Sequence, residues 1–164
     1  MTCEGAVLEK KKNQEHRNKI ELEDFSVRIA HGIFWGDMDA FGHVNNTVFF
    51  RYFENARIEY LRQMGLGLGD DVSIRPILAQ TDCTFIRPIV YPDSICIGAR
   101  VESLGTHSFY MTYGVYRTPL QECMAVGRGK VVSFDYRTGR KVPLPQEWKN
   151  GIGRIERGSV DVEL

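Results

Sequence analysis

Gly36-Asp37-Met38-Asp39-Ala40-Phe41-Gly42-His43-Val44-Asn45-Asn46 is a turn-rich loop that leads straight into an amphipathic helix. Past the loop, Phe49, Phe53, Ala56, Tyr60 and Met64 recur at spacings of three and four, which places them on one helical face. Arg51, Glu54, Arg57 and Arg62 fall largely elsewhere on the wheel. Asn45 or Asn46 serves as N-cap, and Gly65 ends the helix at its C′ position. The result is one helix of about five turns, long enough to cross a sheet at about 1.5 Å per residue.

Strand patterns flank this helix on both sides. Ahead of it, Phe25, Val27 and Ile29 alternate with Ser26, Arg28 and Ala30, and the strand is expected to run on to about Trp35. Behind it, Ile77 to about Val90 reads as a strand closed by a Pro92-Asp93 turn. Two alternating runs follow, through Ile95–Val101 and Phe109–Val115, joined by Leu104-Gly105-Thr106. After a turn at Thr118–Gln121, Met124 to Tyr136 forms the last long strand. Short turns between alternating runs imply an antiparallel meander. Gly127 and Gly129 mark a bulge or a close backbone approach in it. The expected order is strand, long helix, four strands: a single α+β domain over residues 25–164, with one sheet face covering the helix. Residues 1–24 read as a flexible polar tail, and the segment from Val142 as peripheral.

Composition narrows the function classes. The 164 residues are 43% hydrophobic and carry 21 basic and 21 acidic side chains, for a formal net charge of +0. That balance argues against a dedicated nucleic-acid binder, whose affinity rests on excess positive charge. No stretch approaches the roughly 20 apolar residues of a membrane helix, so a soluble chain is expected. Cys3, Cys83, Cys96 and Cys123 form no CxxC pair and no Cys/His cluster, which speaks against a metal site and against a disulfide framework. They read as reduced thiols of an intracellular protein, cytoplasmic first, with mitochondrion or plastid as alternatives. Glu4, Glu9, Glu15, Glu21 and Glu23 disfavour a mitochondrial presequence.

The chemistry concentrates in the loop. Asp37, Asp39 and His43 sit just before a helix N-terminus, whose first N–H groups lack intrahelical partners and carry partial positive charge. Such a terminus stabilises a developing oxyanion, and a carboxylate beside it acts as nucleophile or general base. These are the parts for acyl transfer or hydrolysis. The competing reading of both aspartates is turn and capping residues.

The run GDMDAFGHVNN, followed by FFRYFENARIEYL, resembles the hotdog-fold acyl-CoA thioesterases of the 4-hydroxybenzoyl-CoA thioesterase type, over roughly Phe25 to Tyr136. The resemblance implies a hotdog fold, a curled antiparallel sheet of about five strands around the helix. It also implies a homodimer or homotetramer with active sites at the subunit interface. Its catalytic aspartate falls on Asp39 and its oxyanion donor on the backbone N–H of Asn46. Asp37 is then structural, while His43 and Asn45 are candidates for substrate contact. In the aryl-specific branch a basic triplet before the Ser-Phe of the fourth strand grips the CoA phosphates. The matching residues here are Gly105, Thr106 and His107, ahead of Ser108-Phe109, and of these only His107 carries charge. Thr106, His107 and Ser108 are thus the expected carrier contacts, with Arg87, Arg128, Lys130 or Arg137 as alternatives for the phosphates. The substrate is an acyl-CoA or an acyl carrier protein thioester, and no metal or redox cofactor is called for. Alternatives from other classes are a non-catalytic acyl-CoA- or protein-binding module, and a hydratase or dehydratase using an Asp–His pair.

Overall fold

A computed structural model describes residues 20–66, 73–157 and 160–162. Most of the segment read as a tail, with Cys3 and the lysine run, lies outside them. Five strands make the sheet: β1 (Val27–Gly32), β2 (Ile74–Phe85), β3 (Ser94–Leu104), β4 (Ser108–Arg117) and β5 (Glu122–Asp135). The helix α1 (Asn46–Met64) follows β1, as its apolar spacing requires. Two-residue strands β6 (Arg140–Lys141) and β7 (Asp161–Val162) and a second helix, α2 (Gln146–Ile155), complete the chain. The spatial order is β1-β3-β4-β5-β2. The meander therefore holds for β3, β4 and β5, but β2 crosses over to pair antiparallel with β5 at the far edge. This is the hotdog fold, one long helix held in a curled antiparallel sheet.

The inner face of the sheet is apolar. Ile97, Ala99, Met111, Tyr113 and Val115 are completely buried, and Phe53, Ala56 and Tyr60 of α1 pack into the same core. Phe53 stacks on Tyr113 at 5.0 Å between ring centroids. Its ring occupies the space above Gly127, where a Cβ would stand 2.3 Å from Phe53 and 2.6 Å from the Asp82 carbonyl. Gly127 is thus a close-approach glycine and not a bulge. On the outer face Leu22, Phe25 and Tyr116 form a small second cluster. Leu22 is buried there, inside the stretch read as tail.

Three local expectations are corrected. The first strand stops at Gly32, and Trp35–Asp37 form a single 3-10 turn. The segment after Val142 is not peripheral: Trp148 and Ile152 of α2 are buried in the main core, and Gly151 lets α2 ride against the Met64 carbonyl at the end of α1. Arg57, placed by its charge on the open side of the helix, is 8% exposed.

Glu156, at the C-cap of α2, closes a gap in the sheet edge. The β1–β3 ladder ends at Val27–Ala99, so the Val101 N–H beyond it has no strand partner on that side. Glu156 Oε1 accepts from Val101 N and from the Tyr60 hydroxyl, both at 2.8 Å, while Oε2 accepts from Ser26 Oγ. Burial, reinforced by the Glu156 carboxylate, pushes the Tyr60 hydroxyl well above the usual tyrosine range, so it stays a donor. Replacing Glu156 with Leu strands two buried donors at about 1–3 kcal/mol each. The expected result is a loss of about 2–4 kcal/mol in urea unfolding. Glu156→Gln, which keeps an acceptor oxygen, is expected to lose less. Equal midpoints for the Leu variant and the parent would refute this bracing role.

Candidate active site

The loop Asp37–Asn45 is fixed almost entirely by its own backbone. Met38 and Val44 form an isolated bridge, Asp39 N donates to the His43 carbonyl at 2.8 Å, and Gly42 N donates back to Asp39 O at 3.1 Å. Gly42 takes φ 79, a conformation that costs side-chain-bearing residues energy. Val44 N donates to Ile89 O and Asn45 N to Asp37 O, both at 2.9 Å, tying the loop to the segment before β3 and to itself.

Asp37 is the structural carboxylate. Its Oδ2 accepts from Phe34 N and from the Tyr52 hydroxyl, each at 3.1 Å. Burial and the adjacent Asp37 charge push the Tyr52 hydroxyl well above the usual tyrosine range, which keeps it protonated and donating. Nearly two turns into α1, Tyr52 therefore pins the loop to the helix it precedes.

Asp39 is held differently. Oδ1 accepts from Phe41 N at 2.9 Å, and Oδ2 accepts no hydrogen bond among the described residues. One carboxylate oxygen is anchored and the other is open for chemistry. At the helix start, Asn45 is the N-cap: its Oδ1 accepts from Thr47 N at 2.9 Å and its carbonyl accepts from Val48 N at 3.0 Å. The Asn46 N–H, first of the helix, is the donor of this turn that Asn45 leaves unengaged. A hydrogen-bonded loop thus carries a carboxylate with one open oxygen and leads into a helix whose first N–H lacks an intrahelical acceptor. His43 is exposed, and its imidazole makes no hydrogen bond to Asp39; the link between the two residues is main chain only. Among the described residues, Asp39 and His43 do not form the Asp–His pair that a hydratase would use.

Thr106, His107 and Ser108 lie elsewhere. They occupy the β3–β4 turn, whereas the Asp39 loop packs near the start of β3 through Ile33 N to Asp93 O. Eleven residues of β3 separate the two ends, about 30 Å along the strand. Within one chain these residues do not join the Asp39 site. The turn is braced by Leu144 N on the Thr106 carbonyl and Ser133 N on the His107 carbonyl. Of the alternative phosphate contacts, Arg87 is paired with Glu122 at 2.8 Å, and Arg128 with Glu102 at 2.9 Å while lying over the Tyr110 ring. Lys130 also faces that ring, at 5.3 Å.

Sequence patterning missed two side chains that matter, Arg57 and Glu156, and, although Tyr52 reads as a core residue and is one, it missed the bond from its hydroxyl to Asp37. Arg57 carried a usable signal, since it sits four positions from Phe53 and from Leu61 and three from Tyr60, all on the apolar face. Cys83, Cys96 and Cys123 are free thiols, and burial pushes Cys83 up to about 12, so it is inert at neutral pH. Among the described residues no group of three or more His, Cys, Asp or Glu side chains converges on a metal-sized site, and no helix is long and apolar enough to cross a membrane.

A curled sheet around one helix, with an aspartate loop at the helix N-terminus, defines the hotdog thioesterase class. The chain belongs to the thioesterase-like superfamily, whose family model matches residues 33–152. A thioesterase from Thermus thermophilus, solved with coenzyme A and Zn, is 32% identical, with a TM-score of 0.73 over 82% of this chain and 98% of that one. The PA5185 protein of Pseudomonas aeruginosa PAO1 is 26% identical, with a TM-score of 0.76 over 83% of this chain and 95% of that one. The chloroplastic acyl-acyl carrier protein thioesterase ATL3 of Arabidopsis thaliana is 27% identical over 66% of this chain and 58% of its own length. The protein is a thioester hydrolase.

Proposed function

We propose that the protein hydrolyses acyl-CoA or acyl carrier protein thioesters, with Asp39 as nucleophile or general base and the Asn46 N–H as oxyanion donor. The observation that carries this reading is the Asp39 carboxylate, anchored through Oδ1 alone, in the loop that ends at the Asn45 cap of the helix. As base, Asp39 takes a proton from water while the hydroxyl adds to the thioester carbonyl. The carbonyl oxygen becomes an oxyanion facing the helix terminus, where the N–H and the dipole stabilise it. Collapse breaks the C–S bond, and the thiolate leaves with the proton held by Asp39. As nucleophile, Asp39 forms a mixed anhydride that water then cleaves. Neither route calls on a resident metal or redox group, and coenzyme A enters only as part of the substrate. His43 and Asn45, beside the reacting carbonyl, are the substrate contacts on this loop.

The functional unit is a homodimer or larger homo-oligomer. The twelve-residue β2 ends the sheet and, among the described residues, has no strand on its outer side, an edge that a second copy can complete. Pairing of this kind also allows Thr106, His107 and Ser108 of a second copy to serve a site that they do not reach within their own chain. The free thiols support a reducing compartment, the cytoplasm by preference.

The test is thiol release from a panel of short, long and aromatic acyl-CoAs and acyl carrier proteins. Turnover of CoA thioesters alone selects CoA as carrier, and turnover of the protein-bound thioesters alone selects the carrier protein. A single turnover in oxygen-18 water bears on the route: label on Asp39 means an anhydride cleaved at the Asp39 carbonyl, which the base route never forms. Absence of hydrolysis across the panel, with intact acyl-CoA retained by the protein, would replace this reading with that of a binding module.

A further inference from the structure

His31 stands near the end of β1, opposite Ile95 of β3. Ile95 is buried in the main core, and paired residues share a sheet face, so His31 lies on the face that covers α1. Its side chain is half-buried and makes no hydrogen bond among the described residues. Its ring meets two others: Phe34 edge-on at 5.6 Å between centroids and Tyr52 tilted at 5.1 Å.

Those two rings belong to the two residues that hold Asp37. Phe34 N and the Tyr52 hydroxyl both donate to Asp37 Oδ2, each at 3.1 Å. One donor comes from the turn before the loop and the other from α1, and the His31 ring lies against both. Tyr52 is fixed in the core, but Phe34 is 63% exposed, so the His31 contact is much of what holds its ring. Asp37 passes its position on. Its carbonyl accepts from Asn45 N at 2.9 Å, and Asn45 caps the helix whose first N–H belongs to Asn46. An unbroken line of contacts thus runs from His31 to the helix terminus.

We propose that His31 is a positioning residue for the reaction: wedged against Phe34 and Tyr52, its ring keeps both donors of Asp37 Oδ2 in place and so fixes the Asn45 cap and the Asn46 N–H. The inference rests on the hydrolase reading for the use of that N–H. Misplacing such a group by about 1 Å costs up to about a hundredfold in rate, so a ring that never touches substrate can still govern kcat. The role calls for an aromatic ring of this size, and not for a proton on it.

Variants of His31 and Tyr52 test this, read by thioester hydrolysis and by amide hydrogen exchange. His31→Ala is expected to lower kcat by about tenfold with KM nearly unchanged. His31→Phe, which keeps a ring against Phe34 and Tyr52, is expected to recover most of that loss. His31→Ala combined with Tyr52→Phe is expected to cost about as much as the worse single change, because both act on one oxygen of Asp37. Exchange of the Asn45 N–H is expected to quicken about tenfold in His31→Ala. The Val44 N–H, tied to Ile89 and not to Asp37, is expected to exchange as in the parent. Unchanged kcat in the Ala variant, losses that multiply in the double variant, or unchanged Asn45 exchange would each overturn the proposal. A Phe variant as slow as the Ala variant would overturn it by assigning the work to the imidazole nitrogens. Faster exchange at both amides with a lower melting temperature would overturn it by reducing His31 to general packing. Exchange needs no turnover: a parent that hydrolyses nothing fails the hydrolase reading, while the Asn45 amide still shows whether His31 holds the loop.

Discussion

Asp39→Asn is expected to lower kcat on the best thioester substrate by about a thousandfold or more, with KM nearly unchanged. The two side chains share a shape. The Asn carbonyl oxygen can still accept from Phe41 N, as Asp39 Oδ1 does at 2.9 Å, so the loop keeps its geometry. What disappears is the negative charge and with it both the basicity and the nucleophilicity of the open oxygen. A fall confined to kcat, with the melting temperature held, places the loss in the chemical step. A fall in stability of equal size would instead mean that Asp39 serves the loop as Asp37 does, through Phe34 N and Tyr52. Full activity in the Asn variant would remove Asp39 from the mechanism and leave Asp37 and His43 as the candidates in that loop.

The parts of this molecule that were legible in the sequence are those set by near neighbours. Asn45 caps α1, and Gly65, at φ 97, ends it; both follow from rules that act within a few residues. Alternation in β3 and β4 reports the face of the sheet for the same reason. The loop motif was readable because most of its hydrogen bonds run between near neighbours, as from Asn45 to Asp37 and from Asp39 to His43, with Val44 to Ile89 and Tyr52 to Asp37 as the longer ties. Long-range pairing was not readable. Nothing local tells β2 to cross the molecule to β5 in place of pairing with β3, its successor in sequence. The burial of α2 depends on Gly151 meeting the Met64 carbonyl across 87 positions of sequence, and Glu156 works only because β1 stops short of Val101. Arg57 was misplaced because a charge at the flank of a helix goes to water by default, whereas here it is buried and reaches the Tyr113 hydroxyl across the core.

The oxyanion donor is a backbone group, so side-chain deletion cannot test it, but proline can. Asn46 is the first residue of α1, the position at which proline is best tolerated because that N–H has no intrahelical acceptor. Proline also constrains the residue before it to extended backbone, and Asn45 already has φ −59 and ψ 138. Asn46→Pro should therefore leave α1, its Asn45 cap and the stability intact while deleting a single N–H. If that N–H receives the oxyanion, kcat falls by about a hundredfold to a thousandfold. Asn46→Ala, which keeps the N–H and removes the amide side chain, is expected to stay within a few-fold of the parent. The contrast between the two variants isolates the main chain. If both lose activity equally, the Asn46 side chain is the working group; if both retain it, the oxyanion is held by another donor. A Pro variant that melts like its parent and has lost catalysis while the Ala variant keeps it can be explained only by the missing N–H at the helix terminus.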